Sequence, residues 1–293
     1  MSRQPKRRAA PATEPDNLYR HGMARVAACA PRTAPGDPGA NVDEALKLAR
    51  EADRRRCAIA VYPELNISAY AIDDLFLQDA LLDRVGAEIG RIVRASADLF
   101  PVLIVGAPIA IGPALYNCAV VVHRGRVLGV VPKTYLPNYR EYYEKRHFAA
   151  GDEATERVVD IAGETAPFGV DLVFAARDCA DFIFHVEICE DIWSATPPST
   201  LGAFAGATIL CNLSASNSTI GKAEERNLLC DSQSRRCAAA YIYSGAGFGE
   251  STTDLAWDGH LAAFELGAKL AESERFSLES RMIVADIDLE RLR

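Results

Sequence analysis

The sequence predicts an α/β fold: a mixed β-sheet sandwiched by helices. Three observations lead there. Short apolar runs alternate with segments of helical periodicity, the pattern of β and α elements taken in turn. Two of the runs, within NCAVVVHRGRVLGVVPK (117–133), flank an Arg-Gly turn and so read as a hairpin, which makes the sheet mixed rather than purely parallel. No internal repeat and no linker breaks the alternation, so one domain is the simplest organisation.

Taken in order, residues 1–20 (MSRQPKRRAAPATEPDNLYR) are polar, mildly basic and rich in Pro and Ala, and read as a flexible tail. They lack the apolar stretch of a signal peptide. ARVAACA (24–30) reads as a buried strand. NVDEALKLAREADRR (41–55) has helical spacing, with Asn41 as a plausible N-cap because its amide can accept an orphan N–H of the first turn. CAIAVYPEL (57–65) is a strand that ends at an acid, and 79–97 is a long amphipathic helix. A strand over 101–108 precedes the hairpin. Residues 134–168 are irregular and rich in Tyr, charge, Gly and Pro, and so long a loop in a compact domain is usually functional. Strands follow at 171–176, 182–189, 208–214, 239–245, 260–265 and 281–289, with helices near 199–206 and 221–238.

Composition narrows the classes. The 293 residues are 49% hydrophobic and 25% charged, enough to bury an ordinary core. The net charge of -8 disfavours nucleic acid or an anionic membrane as partner, and no run reaches the length of a membrane span. Eight cysteines without a C-x-x-C pair, most of them in apolar runs, read as reduced thiols of a cytoplasmic protein. The scattered histidines at 21, 123, 147, 185 and 260 offer no metal-ligand spacing, so no metal is expected.

Three polar residues stand where apolar runs stop: Glu64 in YPEL, Lys133 in VVPK and Cys189 in HVEICEDIW. Strand ends hold active groups rigidly while loops admit a substrate. A carboxylate at 64 could take the thiol proton, an ammonium at 133 could stabilise an oxyanion, and Cys189 could attack an amide carbonyl. Acidic neighbours on both sides make Cys189 a poor spontaneous thiolate. On the residues alone it is either a buried small hydrophobe or a nucleophile whose proton has a dedicated acceptor.

Five blocks in order favour the nucleophile: YPELNISAY, VVPKTYLPNYREYYEKRHF, HVEICEDIW, NLSASNSTIGKAEER and GFGESTTDLAWDG. The first three resemble the nitrilase (carbon–nitrogen hydrolase) superfamily. With the last two, the chain from about residue 18 onward is most similar to the glutaminase-domain branch found at the N-terminus of glutamine-dependent NAD synthetases. The resemblance implies a four-layer αββα sandwich over residues 21–293. It implies a triad of Glu64 as general base, Lys133 as oxyanion stabiliser and Cys189 as nucleophile, with Glu144 orienting the lysine and substrate. Tyr139, Ser216 and Lys222 match positions that bind glutamine, and Glu190 would contact the ammonia formed beside the thiol. It further implies L-glutamine as substrate, a homo-oligomer, and an ammonia-using NAD synthetase domain in cis or in trans. The chain closes at DIDLERLR without the SGGxDS-like phosphate loop of an ATP-pyrophosphatase, so that synthetase domain, with its ATP and Mg, is expected to be absent here; the hydrolase domain itself would need no cofactor. A free-standing amidase for another small amide and a non-catalytic oligomerisation module are the competing expectations.

Overall fold

The computed structural model describes residues 17–292. Its strands are β1 (Met23–Ala30), β2 (Ile59–Val61), β3 (Val102–Ile111), β4 (Ala114–His123), β5 (Arg126–Pro132), β6 (Val158–Ile161), β7 (Glu164–Pro167), β8 (Val173–Ala175), β9 (Ile183–Ile188), β10 (Ile209–Ser214), β11 (Ala240–Gly245), β12 (Leu261–Glu265), β13 (Ala268–Glu272) and β14 (Arg281–Asp288). Its α-helices are α1 (Pro38–Arg54), α2 (Asp79–Ser96), α3 (Pro198–Phe204) and α4 (Lys222–Arg236). There are two large sheets rather than one, ordered β14-β1-β2-β3-β4-β5 and β13-β12-β11-β10-β9-β8. β1, β2 and β3 run parallel, as do β9, β10 and β11, while the outer strands are antiparallel.

The period of two along each strand assembles the layers. In β1, Ala24, Val26, Ala28 and Ala30 face the second sheet and join Phe184, Val186, Ile209 and Ile242 in one buried cluster. The alternate residues Ala27 and Cys29 face the other way, toward Ala45, Leu46 and Ala49 of α1 and Ile89 and Ile92 of α2. On the far side Leu210 and Tyr241 pack beneath Cys230 of α4. The result is helices, sheet, sheet, helices: the four-layer αββα arrangement. Strands buried on both faces read as continuous apolar runs, which is why β3 and β4 look alike in sequence.

Four local expectations are corrected. α1 begins earlier than residue 41: Asp37 caps it by accepting the Ala40 N–H at 3.1 Å, and Pro38 takes the first helical position. Asn41 lies inside the first turn and instead ties α1 to the segment after Glu64, donating to the Ile67 carbonyl at 3.0 Å. The tail expected to run to residue 20 is already structured at Leu18–His21, a 3-10 helix capped by Asn17; residues 1–16 lie outside the described ones. The loop expected over 134–168 contains the β6–β7 hairpin, whose turn puts Ala162 and Gly163 at φ 52° and 83°. Alanine is a poor turn signal, and the hairpin is short, so periodicity did not reveal it. No helix among the described residues is long and apolar enough to cross a membrane.

Candidate active site

The site lies where β2, β5 and β9 end together. Glu64 follows β2 by three residues, Lys133 follows β5 directly, and Cys189 follows β9 directly. Close backbone approach makes this possible: a Cβ on Gly106 of β3 would stand 2.2 Å from the Leu65 nitrogen, so only glycine lets the Glu64 turn lie against the sheet. Cys189 sits at φ 47°, a left-handed conformation that costs a non-glycine residue ~1–2 kcal/mol. There the chain leaves β9 and enters the 3-10 turn Cys189–Trp193.

Lys133 is the hub. Its side chain is fully buried, and Nζ donates to Glu64 Oε1 at 2.7 Å and to Glu144 Oε1 at 2.6 Å. Glu64 also accepts from Asn117 Nδ2 at 2.6 Å on Oε1 and from the Ala215 N–H at 2.7 Å on Oε2. A carboxylate has about four lone-pair positions, so one on Oε2 is left for a transferred proton. Tyr70 Oη donates to Glu144 Oε1 at 2.7 Å, and Glu144 Oε2 is buried with no partner among the described residues.

The electrostatics follow from burial. Desolvation pushes the Cys189 thiol well above its ordinary range; Glu64 adds to this, and Lys133 opposes it. The thiol therefore rests protonated. Burial pushes Lys133 downward, but Glu144 and Glu64 overcome it and hold the ammonium charged, well above the usual lysine range. Glu144 is pushed up to about 7, by burial first and by Glu64 beside it, against the pull of Lys133. Two carboxylates thus share one ammonium.

At the mouth, Tyr139 Oη donates to Glu190 at 2.9 Å, and burial raises the Glu190 carboxyl while Lys133 and Lys222 hold it down. Lys222 opens α4 and places Nζ 3.9 Å from the centre of the Trp193 ring. Ser216 is buried two residues beyond the Ser214 end of β10, beside Ala215. So Glu64, Lys133 and Glu144 share hydrogen bonds, Cys189 stands within their field, and Glu190, Tyr139 and Lys222 form a second group linked to the first through Glu190. Two surface depressions flank the mouth, one lined by Tyr70, Tyr142 and Glu144, the other by Tyr135, Phe148 and Glu190; Cys189 lines neither.

Three participants escaped the sequence reading. Asn117 is an amide inside an apolar strand, a visible anomaly in LYNCAVVV. Tyr70 closes the first block, YPELNISAY, and holds Glu144. Asp191 is buried and joins the two key turns, accepting from the Ile188 N–H at 2.8 Å beside Cys189 and from the Tyr135 N–H at 2.8 Å beyond Lys133. Burial raises its carboxyl well above the usual range, with Glu187 adding to the effect.

Residues 25–293 match the carbon–nitrogen hydrolase family. The glutamine-dependent NAD(+) synthetase of Mycobacterium tuberculosis is 55% identical over 277 residues, covering 94% of this chain and 41% of the relative. The chain thus spans about two fifths of the length of the curated relatives it matches. A crystal structure of a glutamine-dependent NAD(+) synthetase from Cytophaga hutchinsonii superposes with a TM-score of 0.80 at 28% identity, covering 90% of this chain and 43% of that one. A nitrilase-superfamily amidase from Nesterenkonia, at 18% identity and a TM-score of 0.71, covers 92% of each chain and shares the fold.

Proposed function

This chain belongs to the carbon–nitrogen hydrolase family, and from that premise we propose that it hydrolyses the side-chain amide of L-glutamine to glutamate and ammonia, as the glutaminase part of a glutamine-dependent NAD synthetase. The observation that carries the choice of substrate is the 55% identity, over 94% of this chain, to synthetases described as glutamine-dependent.

In this reading Cys189 Sγ attacks the amide carbonyl carbon. Because the thiol rests protonated, its proton passes to Glu64 as the C–S bond forms. Lys133 donates to the developing oxyanion; its position is fixed before the reaction by Glu64 and Glu144, so little reorganisation is needed. Glu64 hands the proton to the departing nitrogen, ammonia leaves, and a thioester remains. A water then attacks the thioester carbon, Glu64 takes its proton, and the proton returns to sulfur as glutamate departs. Lys222 would hold the α-carboxylate as a point charge, and Tyr139 and Ser216 would orient the substrate. Glu190, held by Tyr139, would meet the ammonia.

The hydrolase half needs no cofactor in this scheme; ATP and Mg serve the synthetase domain that consumes the ammonia. We place the protein in the cytoplasm as a homo-oligomer, working with that domain in cis or in trans. The test is intact-protein mass spectrometry after adding 6-diazo-5-oxo-L-norleucine, with Cys189→Ala as control. One adduct on the wild type and none on the variant is the expected result. No adduct in the presence of a complementary synthetase domain, while iodoacetamide still labels Cys189, would assign the pocket to another amide.

A further inference from the structure

The loop GFGESTTDLAW (247–257) lies far from the reacting atoms in sequence, yet it grips the segment that follows Glu64. Glu250 is 6% exposed, and its carboxylate accepts the Tyr70 N–H at 3.0 and 3.1 Å and the Ala71 N–H at 3.2 Å. No basic side chain offsets it among the described residues, and burial pushes it up to about 7. The loop itself is fixed. Phe248 accepts the Thr33 N–H at 2.9 Å, and Gly249, at φ 103°, lies so close that a Cβ would stand 1.9 Å from the Thr33 carbonyl oxygen. Trp257 meets the Tyr70 ring edge-on, with centroids 5.6 Å apart. Tyr70 is thus held by its backbone and by its ring, and its hydroxyl ends on Glu144, which bonds Lys133.

We propose that Glu250 is a positioning residue for the hydrolase site: by fixing Tyr70 it holds Glu144, and through Glu144 the Lys133 ammonium, in register with Cys189. A buried carboxylate without a counter-ion is expensive to keep, and two backbone N–H bonds alone could be met by a neutral side chain or by water. The relay gives it a use, because the far end is the one ammonium that both Glu64 and Glu144 share. The proposal rests on the hydrolase reading in giving Lys133 and Glu144 their roles.

The test uses this chain with Glu250→Gln, Tyr70→Phe and the double variant. One readout is independent of substrate: the rate of iodoacetamide labelling of Cys189 against pH, followed by peptide mass spectrometry because seven other thiols are present. Displacing Lys133 removes the charge that draws the thiol downward, so each single variant should need a higher pH to be labelled. The other readout is glutamine hydrolysis, in which kcat should fall ~10-fold with KM within about twofold, the pattern of a displaced group rather than a lost substrate contact. The double variant should lose no more than the worse single variant, since without the Tyr70 hydroxyl Glu250 has nothing to relay. An unchanged labelling profile in E250Q, or additive losses in the double variant, overturns the proposal while leaving the hydrolase reading intact. A Cys189 inert to iodoacetamide in the wild type overturns both. Should E250Q fail to fold, Y70F, which deletes one hydroxyl from a packed ring, carries the test alone: wild-type labelling and turnover in Y70F would refute the relay.

Discussion

The floor and the mouth of the site are built differently. On the floor, Glu64 and Lys133 are fully buried, and each is tied by more than one hydrogen bond to groups on other elements. At the mouth, Tyr139 is half exposed, and Lys222 meets a ring face and the field of Glu190, with no ion-pair partner of its own among the described residues. Strand ends supply the floor; a loop and the first residue of a helix supply the mouth. A rigid, desolvated cluster suits steps in which charge develops, because its dipoles are already aligned. A solvated rim suits discrimination between ligands, which needs contacts that adapt. Under the proposed function, bond-breaking power and substrate choice are therefore expected to separate by mutation.

The comparison is broken most severely by Cys189→Ala. It should lower kcat ~10⁴-fold or more, the scale seen when a nucleophile is deleted, while urea unfolding stays near wild type. Retained turnover would rule out a covalent route. Next is Lys133→Met. In the proposed mechanism Lys133 is the oxyanion donor, and its loss should cost ~10³-fold in kcat. The same change leaves Glu64 and Glu144 facing each other without a cation, which should destabilise the fold by about 3–5 kcal/mol at neutral pH, and less at acid pH where one carboxyl is protonated. A variant as stable as wild type at pH 8 would mean that the floor is less desolvated than its burial implies. At the mouth, Lys222→Ala should raise KM for glutamine ~10-fold and leave kcat nearly untouched. A fall in kcat equal to the rise in KM would erase the distinction between floor and rim.

How much of this the sequence discloses follows the same division. Cys189, Lys133 and Glu64 were legible because each is a polar residue ending an apolar run, and a strand announces its own end. The partners that hold them were not. Asn117 meets Glu64 from 53 positions away, Tyr70 meets Glu144 from 74, and Glu250 meets Tyr70 from 180. Such pairs depend on the order of strands within a sheet and, for Glu250, on how the two sheets stack, which no local pattern encodes. The second sheet was missed by periodicity alone for a related reason: strands buried on both faces carry no polar side to say which sheet they join. The resemblance to a known family, by contrast, carried the four layers at once.

The last expected effect leaves activity aside and concerns the fold's response to pH, and it probes the desolvated region from its edge. Burial pushes Glu250 up to about 7 from the 4.5 of an ordinary glutamate. Its folded form therefore binds a proton more tightly than its unfolded form. The stability this confers is fully present below about pH 4.5 and is lost as pH rises through about 7. Glu144 moves in the same direction for the same cause. Glu250→Gln removes one of the two terms, since an amide does not titrate. The wild type should therefore hold its largest advantage in Tm over E250Q near pH 4.5. Expressed as unfolding free energy, that advantage should shrink by at most about 3 kcal/mol toward pH 8 and level off beyond it. Melting curves of both proteins across that range measure it. A gap constant with pH would mean that the Tyr70 and Ala71 N–H bonds fully offset the burial of Glu250. The loop over 247–257 would then join the floor as a region tied down by hydrogen bonds, and the line between floor and mouth would move outward by one loop.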